Sequence, residues 1–184
     1  MCIRDSLSHV IAVGAVSIAD REIAWEQIEP LSRKNEVLLA CADAAAEQRM
    51  KEEVDKVLRT GDSVGGVFEV VAHHVPPGLG SYAQWDERLD ALLAAAVMSL
   101  QAVKAVEIGS GIQAAHSPGS AVHDEIGYQS DAGFAGFTRT RNHAGGLEGG
   151  VSNGQEIRVR GYLKPISTLR RPLQMCIRDS CRAV

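Results

Sequence analysis

Lys164-Pro165-Ile166-Ser167-Thr168 sets a cation, a rigid turn and two hydroxyls at the end of an alternating stretch, a combination suited to holding an anionic group. Taken alone, the same five residues also read as an ordinary strand exit. Asn142-His143-Ala144-Gly145-Gly146-Leu147-Glu148-Gly149-Gly150 is too rich in glycine for a helix interior or a central strand. It lacks the G-K-[ST] ending of a phosphate loop and the G-x-G-x-x-G spacing of a dinucleotide turn. Two accounts of it stay open. One is a flexible surface loop; the other is an anion site, where bare backbone N–H groups approach an oxyanion. Residues 7–130 carry 18 acids and 9 bases, whereas residues 131–174 carry 3 acids and 7 bases, so the glycine-rich third is the cationic one. That surplus is either a solvated basic face or the charge of an anion site.

Other polar clusters carry less. Gly61-Asp62-Ser63-Val64-Gly65-Gly66 precedes a strand, not a helix, which predicts a tight turn or bulge in place of a phosphate loop. His73 and His74 are neighbours on an expected strand and so point to opposite faces, which keeps them from one metal. His116 and His123-Asp124-Glu125 complete no metal-ligand spacing, and no metal site is expected. Cys41 reads as a small buried hydrophobe.

The elements that must position these groups follow from periodicity. Residues 7–19 read as one strand, residues 20–35 as a polar connection and residues 36–41 as a short apolar strand. Asp43 caps a helix over residues 44–59, with Ala46, Met50, Val54, Val57 and Leu58 on one face. Glu47–Lys51 and Glu52–Lys56 are favourable pairs on its other face, and Gly61 ends it. Residues 64–75 form a strand turned out by Pro76-Pro77-Gly78. Asp86 caps a second helix whose stretch over residues 91–100 is almost wholly apolar, so burial on most sides is expected. Residues 103–108 and 157–163 are the last strands. Strands and helices mix without a regular strand–helix–strand rhythm, which indicates an α+β fold with antiparallel sheet.

The chain has 184 residues, 45% apolar and 23% charged, a globular composition able to bury a core in one domain. A net charge of −4 speaks against nucleic-acid binding, which needs a basic face. No apolar run approaches a membrane span, and a cytoplasmic setting is expected. Met1-Cys2-Ile3-Arg4-Asp5-Ser6 recurs as Met175-Cys176-Ile177-Arg178-Asp179-Ser180. A hexamer duplicated only near the two ends is no solenoid period. One of its back-translations resembles the transposase mosaic-end adapter used in sequencing libraries. We therefore read residues 1–6 as adapter and residues 175–184 as adapter with an unrelated tail, leaving residues 7–174 for the fold. Only Cys41 then remains of the four cysteines, and a disulfide framework or cysteine-based zinc site falls away.

Seven ordered blocks acquire meaning together. They are Gly61-Asp62-Ser63-Val64-Gly65-Gly66, Val75-Pro76-Pro77-Gly78-Leu79-Gly80, Met98-Ser99-Leu100-Gln101-Ala102-Val103-Lys104, Val106-Glu107-Ile108-Gly109, His123-Asp124-Glu125, the 142–150 loop and Lys164 to Thr168. Over nearly all of residues 7–174 the chain resembles chorismate synthase, most weakly between residues 20 and 35. The resemblance implies a β-α-β sandwich with a helical layer between antiparallel sheets, here incomplete. It implies a lyase of the shikimate pathway, eliminating phosphate from 5-enolpyruvylshikimate 3-phosphate with reduced FMN, in a cytoplasmic homotetramer. NADP is the nucleotide it associates with the flavin, and whether the parent reduces its own flavin stays open.

Carried over by motif, Gln101 and Ala102 match a flavin-contacting pair, Gly149 a glycine beside the flavin, and Lys164, Pro165, Ile166, Ser167 and Thr168 the cofactor-holding segment. The family's G-E-S-H-G, H-A-D, R-S-S-A-R-E and R-x-D-x-C blocks have no counterpart here. Its two acid–base histidines belong to the N-terminal blocks, so no catalytic residue is assigned and His143 does not replace them. The chain alone is expected to be inactive and to bind FMN poorly. The competing readings are a non-catalytic oligomerisation or flavin-binding module, and a binder of another phosphorylated ligand.

Overall fold

The computed structural model describes residues 6–19, 22–33, 38–131, 135–167 and 170. Both repeated hexamers lie outside these residues except for Ser6, which opens the first strand. Five strands form one antiparallel sheet: β1 (Ser6–Val13), β2 (Val16–Ser17), β3 (Gly66–Ala72), β4 (Val103–Ile108) and a late strand, β9 (Ile157–Leu163). Their order is β2-β1-β3-β9-β4, so the last strand in sequence inserts between β3 and β4. The expected antiparallel α+β architecture is thus present, and the bounds expected for β4 and β9 agree with the structure.

Helix α2 (Ala44–Arg59) also agrees, because its signals are local. The Asp43 carboxylate accepts from the Ala45 and Ala46 N–H groups at 2.9 and 3.1 Å, and Glu47 pairs with Lys51 at 2.8 Å. Lys56 turns to Glu53 and not to Glu52, and Leu58 lies outside the packed face. Ala46 and Met50 are fully buried in a cluster with Val13, Ile18, Ile23, Ile28, Cys41 and Val71. Each large side chain so buried stabilises the fold by about 1.5–3 kcal/mol.

Several expectations are corrected. Residues 7–19 are a hairpin, not one strand, because Gly14 at φ +57° turns the chain between β1 and β2. The supposed polar connection carries α1 (Trp25–Ile28) and a 3-10 turn (Glu29–Arg33), and its Ile23 and Ile28 are among the most buried residues. One helical turn is too short to display a period. Of the short strand expected over residues 36–41, the first two residues lie outside the described ones. The remainder, residues 38–41, is irregular, with Leu38 80% exposed and one ladder-like bond from Val10 N to Ala40 O. Strand β3 ends at Ala72, so His73 and His74 are not on opposite strand faces; His74 adopts φ +55° and their rings meet edge to face.

The second long helix, α3 (Leu89–Met98), begins at Arg88, not Asp86, and Arg88 pairs with Asp90. It is not covered on most sides. Leu89, Leu93 and Val97 pack on Val106, Ile108, Ile157 and Val159 of the sheet, while Leu92 and Met98 stay about half exposed. The described residues supply a sheet on one side of α3 only. Gly161 leaves room there for the Phe68 ring of β3 and for Val97 of α3, since a Cβ on it would stand 2.4 Å from the ring and 3.1 Å from Val97 Cγ1. Short elements complete the fold: α4 (Gly111–Ala115), α5 (Gly119–Val122), and the hairpins β5 (Ile126–Tyr128) with β6 (Phe137–Arg139) and β7 (Leu147–Glu148) with β8 (Val151–Ser152). No helix among the described residues is long and apolar enough to cross a membrane.

Candidate functional site

Strand β9 reads Ile157-Arg158-Val159-Arg160-Gly161-Tyr162-Leu163, and the two-residue period sends Arg158, Arg160 and Tyr162 to one face. Register then aligns His9, Glu69, Arg160 and Glu107 in a row across β1, β3, β9 and β4. Glu69 accepts from His9 Nε2 at 3.1 Å, Arg158 Nη1 at 3.0 Å and Arg160 Nε at 2.9 Å. Burial would push this carboxyl up. The His9 hydrogen bond and the charges and hydrogen bonds of Arg160 and Arg158 prevail, holding it at about 2. Glu107 accepts from the Tyr162 hydroxyl and from Ile112 N at 2.8 Å. Burial, followed by that hydrogen bond to a carboxylate, pushes the Tyr162 phenol up to about 12.

Arg158 ties the row to the rest of the chain. It donates to the Ile23 carbonyl at 2.7 Å and to Glu156 at 2.5 Å, and its Nε lies 3.0 Å from Glu22. Glu156 also bonds His73, whose ring stacks on Trp25 at 5.0 Å.

A cavity of about 420 Å³ lies over this face. Arg158, Arg160, Glu69 and Tyr162 belong to its lining, as do Glu22, Ser110 and the residues from Thr140 to His143. The glycine-rich segment beside it is not a loose loop: Gly145, Gly146, Leu147 and Gly150 are buried. Its pair of backbone N–H groups at His143 and Ala144 is taken by the Asp124 carboxylate, at 3.0 Å each. At these two N–H groups, then, the protein's own acid takes the place an outside anion would have. No cluster of three or more potential metal-ligating side chains occurs among the described residues.

The residues assigned from the family motif fall in two places. Ala102, at φ +68°, accepts from Lys164 N through its carbonyl at 2.9 Å, joining the Gln101-Ala102 turn to the end of β9. Ser63 Oγ donates to the Ile166 carbonyl at 2.7 Å, bringing in the turn before β3. Lys164, Pro165, Ile166 and Ser167 are exposed, and Thr168 lies outside the described residues. Beside them is an apolar cavity of about 220 Å³ whose lining includes Val64, Gly65, Leu163, Lys164 and Ile166. Gly149 is elsewhere, on the β7–β8 turn at φ +63° with open space where a Cβ would stand. That turn meets the start of α3 through the bond from Leu89 N to Gly150 O, while Ala102 follows its end. The helix separates them by about 15 Å.

A family model described as chorismate synthase matches residues 5–182. Chorismate synthase of Koribacter versatilis is 67% identical over 171 residues, which cover 92% of this chain and 44% of that protein. The chorismate synthase of Acidobacterium capsulatum is 59% identical over 172 residues, again 92% and 44%. The chain belongs to the chorismate synthase family. A solved chorismate synthase crystal structure superposes with a TM-score of 0.76 at 39% identity, over 89% of this chain and 50% of the other. The chain thus spans under half the length of the curated chorismate synthases it matches.

Reading the sequence for chorismate synthase motifs missed the row of Glu69, Glu107, Arg158, Arg160 and Tyr162. The available signal was charge at every second residue of an otherwise apolar strand, where a solvated face is the usual explanation. In this member of the family the face is buried instead, with Glu69 only 2% and Arg158 only 4% exposed.

Proposed function

We propose that this chain is the central part of a chorismate synthase, acting in the elimination of phosphate from 5-enolpyruvylshikimate 3-phosphate to give chorismate for aromatic amino acid synthesis. The observation carrying this reading is the 67% identity to the Koribacter versatilis enzyme. Reduced FMN is the proposed cofactor; when bound, it supplies electron-rich flavin chemistry that is not consumed overall.

The residues at the end of β9 suit such a ligand. Lys164 offers an exposed cation and Ser167 a hydroxyl, beside a small apolar cavity. The Ala102 carbonyl fixes the Lys164 backbone and so sets where that side chain begins. Gln101 extends the same contact surface in this proposal, Thr168 joins it by motif alone, and Gly149 offers unobstructed backbone. We assign the parent to the cytoplasm as a homotetramer, with neither nucleic acid nor membrane as partner. Residues 1–6 and 175–184 remain, in this reading, adapter sequence with an unrelated tail.

The test is a chimera in which residues 7–170 replace the matching segment of the Koribacter versatilis enzyme. Chorismate formation with reduced FMN is expected to persist, and K164Q in the chimera is expected to weaken FMN binding roughly tenfold. A chimera that folds and assembles yet forms no chorismate overturns the reading. The 184-residue chain alone is expected to yield no product above background.

A further inference from the structure

The cavity over the charged face has an imbalance of hydrogen-bonding groups. Both oxygens of Glu69 are engaged, by His9 and Arg158 on one and Arg160 on the other. Glu107 is likewise consumed, by Tyr162 and Ile112 N. Asp124, behind the turn, spends its oxygens on His143 N and Ala144 N. The donors are less fully used. Arg160 Nη2 has no partner among the described residues, its Nε being on Glu69 and its Nη1 lying 3.7 Å from Glu107.

Arg141 donates only to the carbonyls of Ala121 and His123, at 3.2 and 3.3 Å, and forms no ion pair among the described residues. No carboxylate among the described residues pairs directly with its charge, and each terminal nitrogen retains a second N–H. His143 contributes an adjustable group. Its Nδ1 lies 2.8 Å from Ser110 Oγ, and that hydroxyl also reaches the His143 carbonyl at 3.2 Å. With the Ser110 proton directed to Nδ1, His143 Nε2 carries a hydrogen and becomes a donor. Among the lining carboxylates only Glu22, at the open edge and half exposed, keeps an oxygen without a protein donor. A cavity with spare donors and a spare positive charge, its one free lining carboxylate oxygen standing at the open edge, is complementary to an acceptor-rich anion.

We propose that this cavity binds a small oxyanion, a carboxylate or phosphate, through Arg141, Arg160 and the His143 ring, at a site separate from the Lys164 end of β9. The Asp124 contacts hold the 142–146 turn, and with it the His143 ring, against the cavity wall. Ligand exchange requires no opening of the sheet, because the site is bounded on one side by the exposed Thr140 and Gln113.

Calorimetric titration of the 184-residue chain with inorganic phosphate and, separately, malonate tests this. Saturable binding of one equivalent is expected for at least one probe, and the tighter probe assigns the ligand to the phosphoryl or the carboxylate class. R141Q and T140E are each expected to weaken it at least tenfold, the loss of a charge-assisted contact and the arrival of a like charge. K164Q is expected to bind as the parent does. Thr140 is exposed, so T140E carries the test should R141Q fail to fold. No saturable binding of either probe, unchanged affinity in the variants that fold, or loss of binding in K164Q would each overturn the proposal.

Discussion

The two faces of the five-stranded sheet differ in what lies over them, a charged row enclosed by its partners on one and an apolar helix left partly open on the other. On one face charged side chains are enclosed nearly as fully as their apolar neighbours: Glu69 and Arg158 are 2% and 4% exposed, against 0% for Val71. On the other face α3, with one acid in ten residues, has no fully buried residue and shows Leu92 and Met98 to solvent. What decides burial here is how completely partners are supplied. The charged row satisfies itself within four strands, whereas the apolar helix needs cover on a second side that the described residues do not provide. A buried ion network of this kind is costly to interrupt, because removing one member leaves the others charged and unpaired.

The largest effect should come from breaking that network at its centre. E69A strips the shared counter-charge from Arg158 and Arg160 and is expected to cost about 3–5 kcal/mol, read from the midpoint of urea unfolding. A loss under 1 kcal/mol would mean that the row is solvated and the comparison between faces false. Acid should act on the same residue more gently. Glu69 is held at about 2, below its ordinary 4.5, so its stabilisation is complete above pH 4.5 and disappears as pH falls toward 2. The loss is roughly 3 kcal/mol from this group, and E69Q should flatten the pH dependence of the unfolding midpoint over that window.

Y162F comes next. It deletes the hydroxyl donor to Glu107 and is expected to cost about 1–3 kcal/mol, since the acceptor is charged and buried. Ultraviolet titration should also lose a tyrosine that ionises near 12. The smallest effect sharpens the other side. L92Q, on the exposed face of α3, should change stability by less than about 0.5 kcal/mol while reducing light scattering from aggregates. A loss above 2 kcal/mol would show that the helix face is covered in solution.

Legibility in the sequence divided along the same line. Helix α2 was readable because Asp43, Glu47 and Lys51 announce it within a few residues, β9 because its apolar residues alternate, and β4 as a short valine- and isoleucine-bearing run ended by Gly109. The glycine-rich turn was readable as a place of close backbone approach, but its carboxylate partner, Asp124, comes from a different segment. The charged row was not readable as a unit: Glu69, Glu107 and Arg160 are far apart in the chain, and only strand register places them side by side. The α1 segment failed for the opposite reason, since one helical turn holds too few residues to reveal which of them face inward.

The position of β9 has a consequence for synthesis. Strands β3 and β4 each pair with β9 along an edge, yet β9 is made after both. On the ribosome, then, β3 is exposed on one side and β4 has no neighbour until Ile157 to Leu163 emerge, and Glu69 waits with them for its arginines. During that interval the nascent chain presents unpaired backbone, the state in which strand edges find wrong partners. Slowing translation between β4 and β9 should therefore lower the soluble yield, and speeding it should raise it.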